Sequence, residues 1–349
     1  MLPAALALAV SIPPNVQDNA PARRGNWLIL HQEADGRWDA DGFALRGPEA
    51  ARRGTPGGPF DDVAVTSLAL LALVADGGAA EAAPYREPVA RAADWLAGEA
   101  ELAAVPRAQE HPRFLRHHAL ATLALCELAY FTQDGELAAA ARRAVRVLEE
   151  RRRADGGWSA DGASTTPSDG WTTGWAALAL ASALDAGVAG ERAAFEAGLD
   201  WIRGHTDSET GLVLDGDADP GSAATRKATA LALLCRLVAG ERLDEHPELR
   251  AAAATLTGTP PAWSEDGAAM DPELTCVTTL AAVQIGGRTW SRWHKSLKPH
   301  LVGHVETLTA AGPVPVDPEL VPEGSVAGTA YALLTLTAYY RYSRIIGAR

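Results

Sequence analysis

The sequence is poor in cysteine, with three cysteines in 349 residues. Cys126, Cys235 and Cys276 lie far apart in apolar stretches, which predicts buried thiols rather than a disulfide framework. The patterns Cys-x-x-Cys and His-Glu-x-x-His, which are typical of metal and redox sites, are absent. We therefore exclude the class of small domains that disulfides hold together.

The chain also lacks an excess of positive charge. Its 31 basic and 44 acidic residues give a net charge of −13, which argues against a nucleic-acid partner. Beyond the N-terminal segment, every apolar run falls short of the roughly 20 residues that a transmembrane helix needs. We predict no integral membrane segment in the mature domain.

The first residues, Met1 to Ile12, are almost wholly apolar and are followed by Pro13-Pro14. Their length suits the core of a signal peptide, although no Lys or Arg precedes them. We interpret residues 1–22 as a signal peptide or a disordered leader. The first alternative predicts export to the periplasm or the medium, and the second predicts a cytoplasmic protein.

An eight-residue cassette occurs twice, as Asp35-Gly-Arg-Trp-Asp-Ala-Asp-Gly42 and as Asp155-Gly-Gly-Trp-Ser-Ala-Asp-Gly162. We call these segments cassette 1 and cassette 2. Each follows a basic, apolar-periodic stretch and precedes an Ala/Leu-rich segment. The second residue of each, a glycine, permits a tight turn. We predict that the tryptophans stack between repeats and that Asp41 and Asp161 cap the next helix.

Six Ala/Leu-rich segments recur at a steady spacing. We align them on six anchor residues, Thr66, His118, Thr173, Thr229, Thr278 and Thr329, which lie 52, 55, 56, 49 and 51 residues apart. Each segment is apolar nearly all round and predicts a buried inner helix. The amphipathic stretches between them predict an outer layer. The inner segments are Val63–Val74, His117–Ala129, Trp171–Leu184, Ala228–Ala239, Cys276–Ile285 and Ala327–Tyr340.

The outer stretches are Arg24–His31, Val89–Ala97, Ala139–Arg151, Phe195–Arg203, Leu249–Leu256 and Trp293–His304. Two helices in each of six repeats predict an all-α (α/α)6 toroid, with an open solenoid as the alternative. We assign it to a single domain over residues 23–349.

Cassette 1 and the helix before it carry a further pattern. Together, Arg24, Trp27, Gln32, Gly36 and Trp38 resemble the QW motif of squalene–hopene and related triterpene cyclases. The second copy is degenerate, with Gly156 and Trp158 retained. The chain as a whole is similar to the terpenoid cyclase and protein prenyltransferase β-subunit superfamily, and most of all to single-domain bacterial proteins with prenyltransferase/squalene-oxidase repeats. This resemblance covers nearly residues 23–345 and implies an α/α toroid around a cavity for an isoprenoid.

The segment from Pro59 to Thr66 enters the first inner helix. Its Asp61-Asp62 pair resembles the last two aspartates of the Asp-x-Asp-Asp-Thr-Ala proton-donor motif of those cyclases, with Pro59 in place of the first aspartate. A cyclase of this type needs a carboxylic acid that stays protonated. The resemblance therefore implies Asp61 and Asp62 as catalytic residues, whereas helix capping by Asp62 is the structural alternative.

Polar and aromatic residues enter the other inner helices and predict the rim of a cavity. Aromatic rings there would stabilise a carbocation through cation–π contacts, although polar residues at helix starts also occur without a ligand. The predicted rim residues are Arg116, His117, His118, Asp169, Trp171, Trp175, Lys227 and Tyr331.

Protein prenyltransferases bind zinc through Asp, Cys and His. Asp271, Cys276 and His294 form the weak counterpart in this chain, because the aspartate and the cysteine lie five residues apart. We predict neither a metal nor another cofactor.

Three functions remain open. The first is an isoprenoid cyclase or prenyltransferase-like enzyme with a depleted catalytic motif. The second is an exported, non-catalytic toroid that binds a hydrophobic small molecule, a lipid or a partner protein. A polysaccharide-active (α/α)6 enzyme is the third, and it requires paired carboxylates across a cleft.

Overall fold

A computed structural model describes residues 25–43, 54–76, 85–102, 111–188, 192–214, 219–258, 261, 270–301 and 312–346. The leader predicted at residues 1–22 and Arg24 of the QW-like motif lie outside these ranges. Within them the chain forms twelve α-helices and no strand. No helix in the described ranges combines the length and apolar content that crossing a lipid bilayer requires.

The helices alternate between an apolar and an amphipathic type, as the repeats predict. The apolar helices are α2 (Asp62–Ala75), α4 (Phe114–Thr132), α6 (Gly170–Asp185), α8 (Ala223–Val238), α10 (Pro272–Ile285) and α12 (Gly324–Ile346). The amphipathic helices are α1 (Asn26–Leu30), α3 (Arg86–Leu102), α5 (Gly135–Arg151), α7 (Arg192–Gly204), α9 (Pro247–Gly258) and α11 (Gly287–His300).

Helices α4 and α7 illustrate the two types. Nearly every residue of α4 from Phe114 to Ala129 is buried, so this helix is covered on all sides. Helix α7 instead buries one stripe, including Phe195, Leu199 and Ile202, and exposes charged residues on the opposite face. This stripe follows the helical period and matches the prediction of an outer helix.

The chain divides into two compact units. The central unit holds the described residues between 97 and 259 and between 280 and 289, and the terminal unit holds the remainder. In the central unit α6 packs against both α4 and α8, and α5, α7 and α9 pack against these apolar helices. Gly174 of α6 permits the contact with α8, since a Cβ there would lie 2.6 Å from the Cβ of Leu231. In the terminal unit α2 packs against α12. The single domain over residues 23–349 stays a prediction.

The anchor threonines hold the turns that precede the apolar helices. In four repeats the anchor hydroxyl accepts a hydrogen bond from a backbone N–H of the turn, at 2.9 to 3.0 Å. The donor–anchor pairs are Trp38–Thr66, Trp158–Thr173, Val213–Thr229 and Val314–Thr329. The turns before the other two anchors include segments outside the described residues. The alignment of the repeats therefore corresponds to a repeated hydrogen bond.

Both cassettes are tight turns packed against a neighbouring amphipathic helix. Gly36 and Gly156 adopt φ of 101° and 95°, a region that favours glycine. A Cβ on Gly36 would lie 2.2 Å from the carbonyl oxygen of Arg91 in α3, and one on Gly156 would lie 2.8 Å from that of Ala197 in α7. Each cassette therefore packs closely against the amphipathic helix of the next repeat.

The tryptophans bind each cassette to the amphipathic helix before it, and Gln32 binds cassette 1 to α3. Trp38 and Trp158 are fully buried, and their indole N–H groups donate to the carbonyls of Leu28 and Leu148, each at 2.8 Å. Gln32 donates to the carbonyls of Gly36 and of Pro88 in α3, both at 2.8 Å. The residues that carry the QW resemblance thus have a structural role here.

The N-cap positions of α2 and α6 belong to Asp61 and Asp169, so the prediction that Asp41 and Asp161 cap these helices is wrong. Asp161 accepts hydrogen bonds from Ser159, Ala163 and Thr166, so its carboxylate serves the turn itself. The residue that caps α6 is Asp169, whose carboxylate accepts from the N–H of Thr172 at 2.7 Å.

Candidate functional site

Cassette 2 holds the starts of two apolar helices of the central unit. The carbonyl of Trp158 accepts a hydrogen bond from the N–H of Asp169, at 2.9 Å, where α6 begins. The carbonyl of Ala160 accepts from the N–H groups of Leu115 and Arg116, at 2.8 and 3.3 Å, in the first turn of α4. The turn therefore fixes both the position and the rotation of these helix starts.

Four of the predicted rim residues come together at these starts. The guanidinium carbon of Arg116 lies 4.0 Å from the centre of the Trp171 ring, and the Lys227 ammonium lies 4.6 Å from it. Both distances fall within cation–π range. Arg116 also contacts the Asp169 carboxylate at 3.6 Å and donates to the Thr172 hydroxyl at 3.3 Å. We call Arg116, Asp169, Trp171, Thr172 and Lys227 the basic–aromatic cluster.

The cluster combines a buried cation with groups that reach the surface. The Lys227 side chain is 2 % exposed, whereas the side chains of Arg116 and Asp169 are 13 % and 29 % exposed and Trp171 is half-buried. Burying an ammonium is costly unless other groups stabilise its charge, and the ring of Trp171 supplies part of this stabilisation. Arg116, Asp169 and Trp171 therefore present a donor, an acceptor and an aromatic ring at the surface, and the buried Lys227 adds positive charge from within.

The repeat register explains why these residues meet. Arg116, Trp171 and Lys227 each lie two residues before an anchor, in three successive repeats. Equivalent positions on neighbouring apolar helices therefore converge. Thr172, next to the anchor Thr173, is a further member that was not predicted. The carbonyls of Trp158 and Ala160 were not predicted either, because backbone groups leave no signal in the sequence.

The remaining rim residues of the central unit are buried elsewhere. The His118 ring donates through Nε2 to the carbonyl of Ala144 in α5, at 2.9 Å, and burial lowers the pKa of His118 to about 4. His117 lies against the ring of His111, with ring centres 4.9 Å apart. Trp175, one turn beyond Trp171, is 6 % exposed. None of these three belongs to the basic–aromatic cluster.

Asp61 and Asp62 lie at the start of α2 in the terminal unit. Asp61 is fully buried, and its carboxylate accepts a hydrogen bond from the N–H of Gly58 at 2.8 Å. Asp62 accepts from the N–H of Ala40 at 2.9 Å and from the Arg37 guanidinium. Burial raises the pKa of Asp62, although the Ala40 hydrogen bond and the Arg37 charge act in the opposite direction.

These contacts change the structural interpretation of Asp62. Its carboxylate joins α2 to cassette 1. Asp62 also lies in the first turn of α2, where a negative charge interacts favourably with the helix dipole, whereas the N-cap position is that of Asp61. Two donors already engage its two oxygens. The catalytic role implied for Asp61 and Asp62 stays a prediction.

Tyr331 of α12 is buried in the terminal unit, with 3 % exposure. Burial raises the pKa of Tyr331, and the nearby carboxylates of Glu273 and Glu323 raise it further. Both glutamates are themselves buried. Tyr331 therefore lies in an acidic environment, unlike the basic cluster of the central unit.

The weak metal-site prediction also falls in the terminal unit. Asp271, Cys276 and His294 do not form a group in which three ligand atoms lie within 4.8 Å of one another. Cys276 is 2 % exposed, and burial raises the pKa of its thiol to about 12. Because zinc binds the thiolate, this environment disfavours a zinc ligand.

No protein-family model matches the chain, and no curated protein matches it by sequence. Solved structures do resemble it. An inactive variant of the α-1,6-mannanase GH76A of Salegentibacter sp. HEL1_6, in complex with α-1,6-mannotriose, is 12 % identical with a TM-score of 0.62, over 91 % of this chain and 97 % of that one. The cellobiose 2-epimerase of Spirochaeta thermophila DSM 6192 is 17 % identical with a TM-score of 0.54, over 92 % of this chain and 93 % of the epimerase.

These likenesses confirm the predicted fold class, because both neighbours are α/α toroids. The all-α (α/α)6 toroid is thus the fold of this chain. The resemblance to the terpenoid cyclase and prenyltransferase superfamily is supported only at this level, since neither neighbour is an isoprenoid enzyme.

Proposed function

We propose that this protein binds a saccharide at the basic–aromatic cluster of the central unit. The observation that carries the proposal is the convergence of Arg116, Asp169 and Lys227 around a half-buried Trp171. Saccharide hydroxyls both donate and accept hydrogen bonds. The cluster offers the Asp169 carboxylate as an acceptor, two cationic donors, and the Thr172 hydroxyl, which does both.

The structural neighbours give independent support. The mannanase structure contains α-1,6-mannotriose, and the second neighbour is named for a reaction of cellobiose. Both proteins act on sugars with the fold of this chain, although fold alone does not determine function. The side chains of the cluster therefore carry the assignment of the ligand class.

The alternative of an isoprenoid or another hydrophobic ligand is less well supported by the same side chains. Arg116 and Lys227 already lie over Trp171, so a carbocation at this ring would meet two positive charges. An apolar tail would also cover polar groups without replacing their hydrogen bonds to water, which costs free energy. A partner protein remains the alternative for the outer surface.

An enzymatic form of the proposal concerns Asp61 and Asp62 of the terminal unit alone and does not depend on the cluster. The mannanase was inactivated by replacing two adjacent aspartates with asparagine, and Asp61-Asp62 is an adjacent pair in this chain. Burial raises the pKa of Asp62, as a general acid requires. Loss of sugar release from an oligosaccharide panel in the Asp61→Asn/Asp62→Asn variant would support this form.

Calorimetric titration tests the binding proposal. The panel contains α-1,6-mannotriose, cellobiose, glucose and glucuronate, with farnesol as the hydrophobic probe. We expect at least one saccharide to bind, and Asp169→Ala to weaken that binding at least tenfold. Arg142→Ala, an exposed arginine on α5, is the matched control and should leave binding unchanged. Binding of farnesol with no binding of any saccharide would overturn the proposal.

A further inference from the structure

The charge of the basic–aromatic cluster points to a narrower class of ligand. This inference rests on the proposed saccharide site. In a chain of net charge −13, two cations approach one half-buried ring at the junction of three helix starts. Arg116 comes from α4, Trp171 from α6 and Lys227 from α8.

The three side chains are held by the fold rather than by chance rotation. Arg116 is placed by the Ala160 carbonyl at its backbone, and by Thr172 and Asp169 at its guanidinium. Lys227 is buried along its stem, so its ammonium has little freedom to move away from Trp171. A site that is ordered before the ligand arrives loses little entropy on binding.

Such a pair of cations suits an anionic oxygen group better than a neutral hydroxyl. Hydrogen bonds between a charged donor and a carboxylate or phosphate are about twice as strong as neutral ones. They gain further where the site is partly withdrawn from water, as the 13 % exposure of the Arg116 side chain indicates, and Lys227 adds its charge from a buried position. Asp169 would then bind the hydroxyls of the same sugar, because its carboxylate would repel an anionic group placed beside it.

We propose that the ligand is an acidic saccharide, whose carboxylate or phosphate group is bound by Arg116 and Lys227. The sugar ring lies toward Asp169 and Thr172, which bind its hydroxyls. The position two residues before the anchor thus determines specificity in three successive repeats.

Glucuronate and glucose are the matched probes, since they differ only at the sixth carbon. Glucose 6-phosphate is the second anionic probe. Its affinity compared with that of glucuronate shows whether the site prefers a phosphate or a carboxylate group. We expect one of the two anions to bind at least tenfold more tightly than glucose, which corresponds to about 1.4 kcal/mol. In Lys227→Met, which keeps most of the stem and removes the charge, the preference for the anion over glucose should fall to about threefold or less, whatever the change in the glucose affinity itself.

A second measurement is needed in case Lys227→Met does not fold. Raising the salt concentration to 0.5 M should weaken binding of the anion by the unaltered protein but leave glucose binding unchanged. Arg142→Met, on the exposed face of α5, is the control that removes one positive charge away from the site.

The outcomes separate the two proposals. Equal binding of glucose and both anions would overturn the acidic-saccharide inference and leave the saccharide site standing. Binding of no saccharide would overturn both. Tighter anion binding that is independent of salt and survives Lys227→Met would also contradict the inference.

Discussion

The two cassettes share a backbone turn, but the aspartates that begin the helices after them, Asp62 and Asp169, have different partners. Asp62 and Asp169 occupy the same position, four residues before the anchors Thr66 and Thr173. Asp62 is bound by Arg37, the third residue of its own cassette. Asp169 contacts Arg116, which comes from a different helix.

The third residue of the cassette accounts for this difference. Cassette 2 has Gly157 where cassette 1 has Arg37. A Cβ on Gly157 would lie 2.8 Å from Ser168 and 2.9 Å from Trp201, so no side chain fits there. Without a local arginine, Asp169 remains available to the basic–aromatic cluster. In the terminal unit the cassette arginine, Arg37, already binds the aspartate Asp62. In the central unit the equivalent aspartate, Asp169, belongs to the candidate site.

The largest expected effect on stability concerns the glycine at the second position of both cassettes. Gly36→Ala places a Cβ against the Arg91 carbonyl at positive φ, and should cost roughly 2–4 kcal/mol. Gly156→Ala has a looser contact, and should cost roughly 1–3 kcal/mol. Chemical denaturation measures both values.

Gly98→Ala is the control for these substitutions. Gly98 lies inside α3, and a Cβ there has no atom within 4 Å, so alanine should stabilise the protein by about 0.5–1 kcal/mol. A neutral result for Gly36→Ala would show that cassette 1 does not need its packed turn.

An intermediate effect concerns the carboxylate partners. A double-mutant cycle of Arg37→Met and Asp62→Asn should give a coupling energy of about 1–2 kcal/mol, because a charged group donates a hydrogen bond in a partly buried site. The cycle of Arg116→Met and Asp169→Asn should give less than about 1 kcal/mol, since the two charged groups of that pair lie 3.6 Å apart. Equal couplings would remove the distinction between the cassettes.

The smallest effect is a pH dependence of opposite sign at the seventh cassette residue. A hydrogen bond with the side chain of Asp39, together with burial, raises the pKa of Asp41. In cassette 2 the fifth residue is Ser159 rather than an aspartate. Burial by itself would raise the pKa of Asp161, but hydrogen bonds from Thr166 and other donors lower it overall.

The two shifts give opposite linkage to folding. The lowered pKa of Asp161 contributes stability that is complete above its unfolded-state pKa and disappears as the pH falls through the folded-state pKa. The raised pKa of Asp41 contributes stability that is complete below its unfolded-state pKa. This stability disappears as the pH rises through the folded-state pKa.

Melting temperatures of Asp161→Asn and Asp41→Asn between pH 3 and 7 test this difference. The first variant should melt below the unaltered protein at neutral pH, with a gap that closes below roughly pH 4. The second should lose little at neutral pH. Parallel curves for both variants would contradict the assignment.

The repeat pattern predicts the apolar helices to within a few residues. Trp171–Leu184 was expected and α6 spans Gly170–Asp185, because an all-round apolar segment between polar turns has few alternative conformations. The last amphipathic helix, α11, begins at Gly287, earlier than the predicted Trp293. The first turn of α11 is polar and follows directly after Gly286. The apolar periodicity on which the prediction depends therefore begins after the helix has started.

The site is predictable in part. The rim set contains Arg116, Asp169, Trp171 and Lys227, but it also contains His117, which lies outside the cluster. Adjacent helical residues differ in direction by roughly 100°, so a list of residues at a helix start cannot separate those that face the site. The rotation of α4 is set by the Ala160 carbonyl, a backbone group without a sequence signal.

The threonine anchors have a consequence for how such a chain can diversify. In four repeats the anchor hydroxyl binds a turn of its own repeat, so a duplicated repeat of this type keeps the hydrogen bond that holds its turn. The residue two positions earlier takes no part in that bond. It is arginine, tryptophan and lysine before His118, Thr173 and Thr229, and alanine, cysteine and alanine before the other three anchors. The six residues at this position can therefore be varied together to change what the protein binds, while the hydrogen bonds that hold the fold are kept.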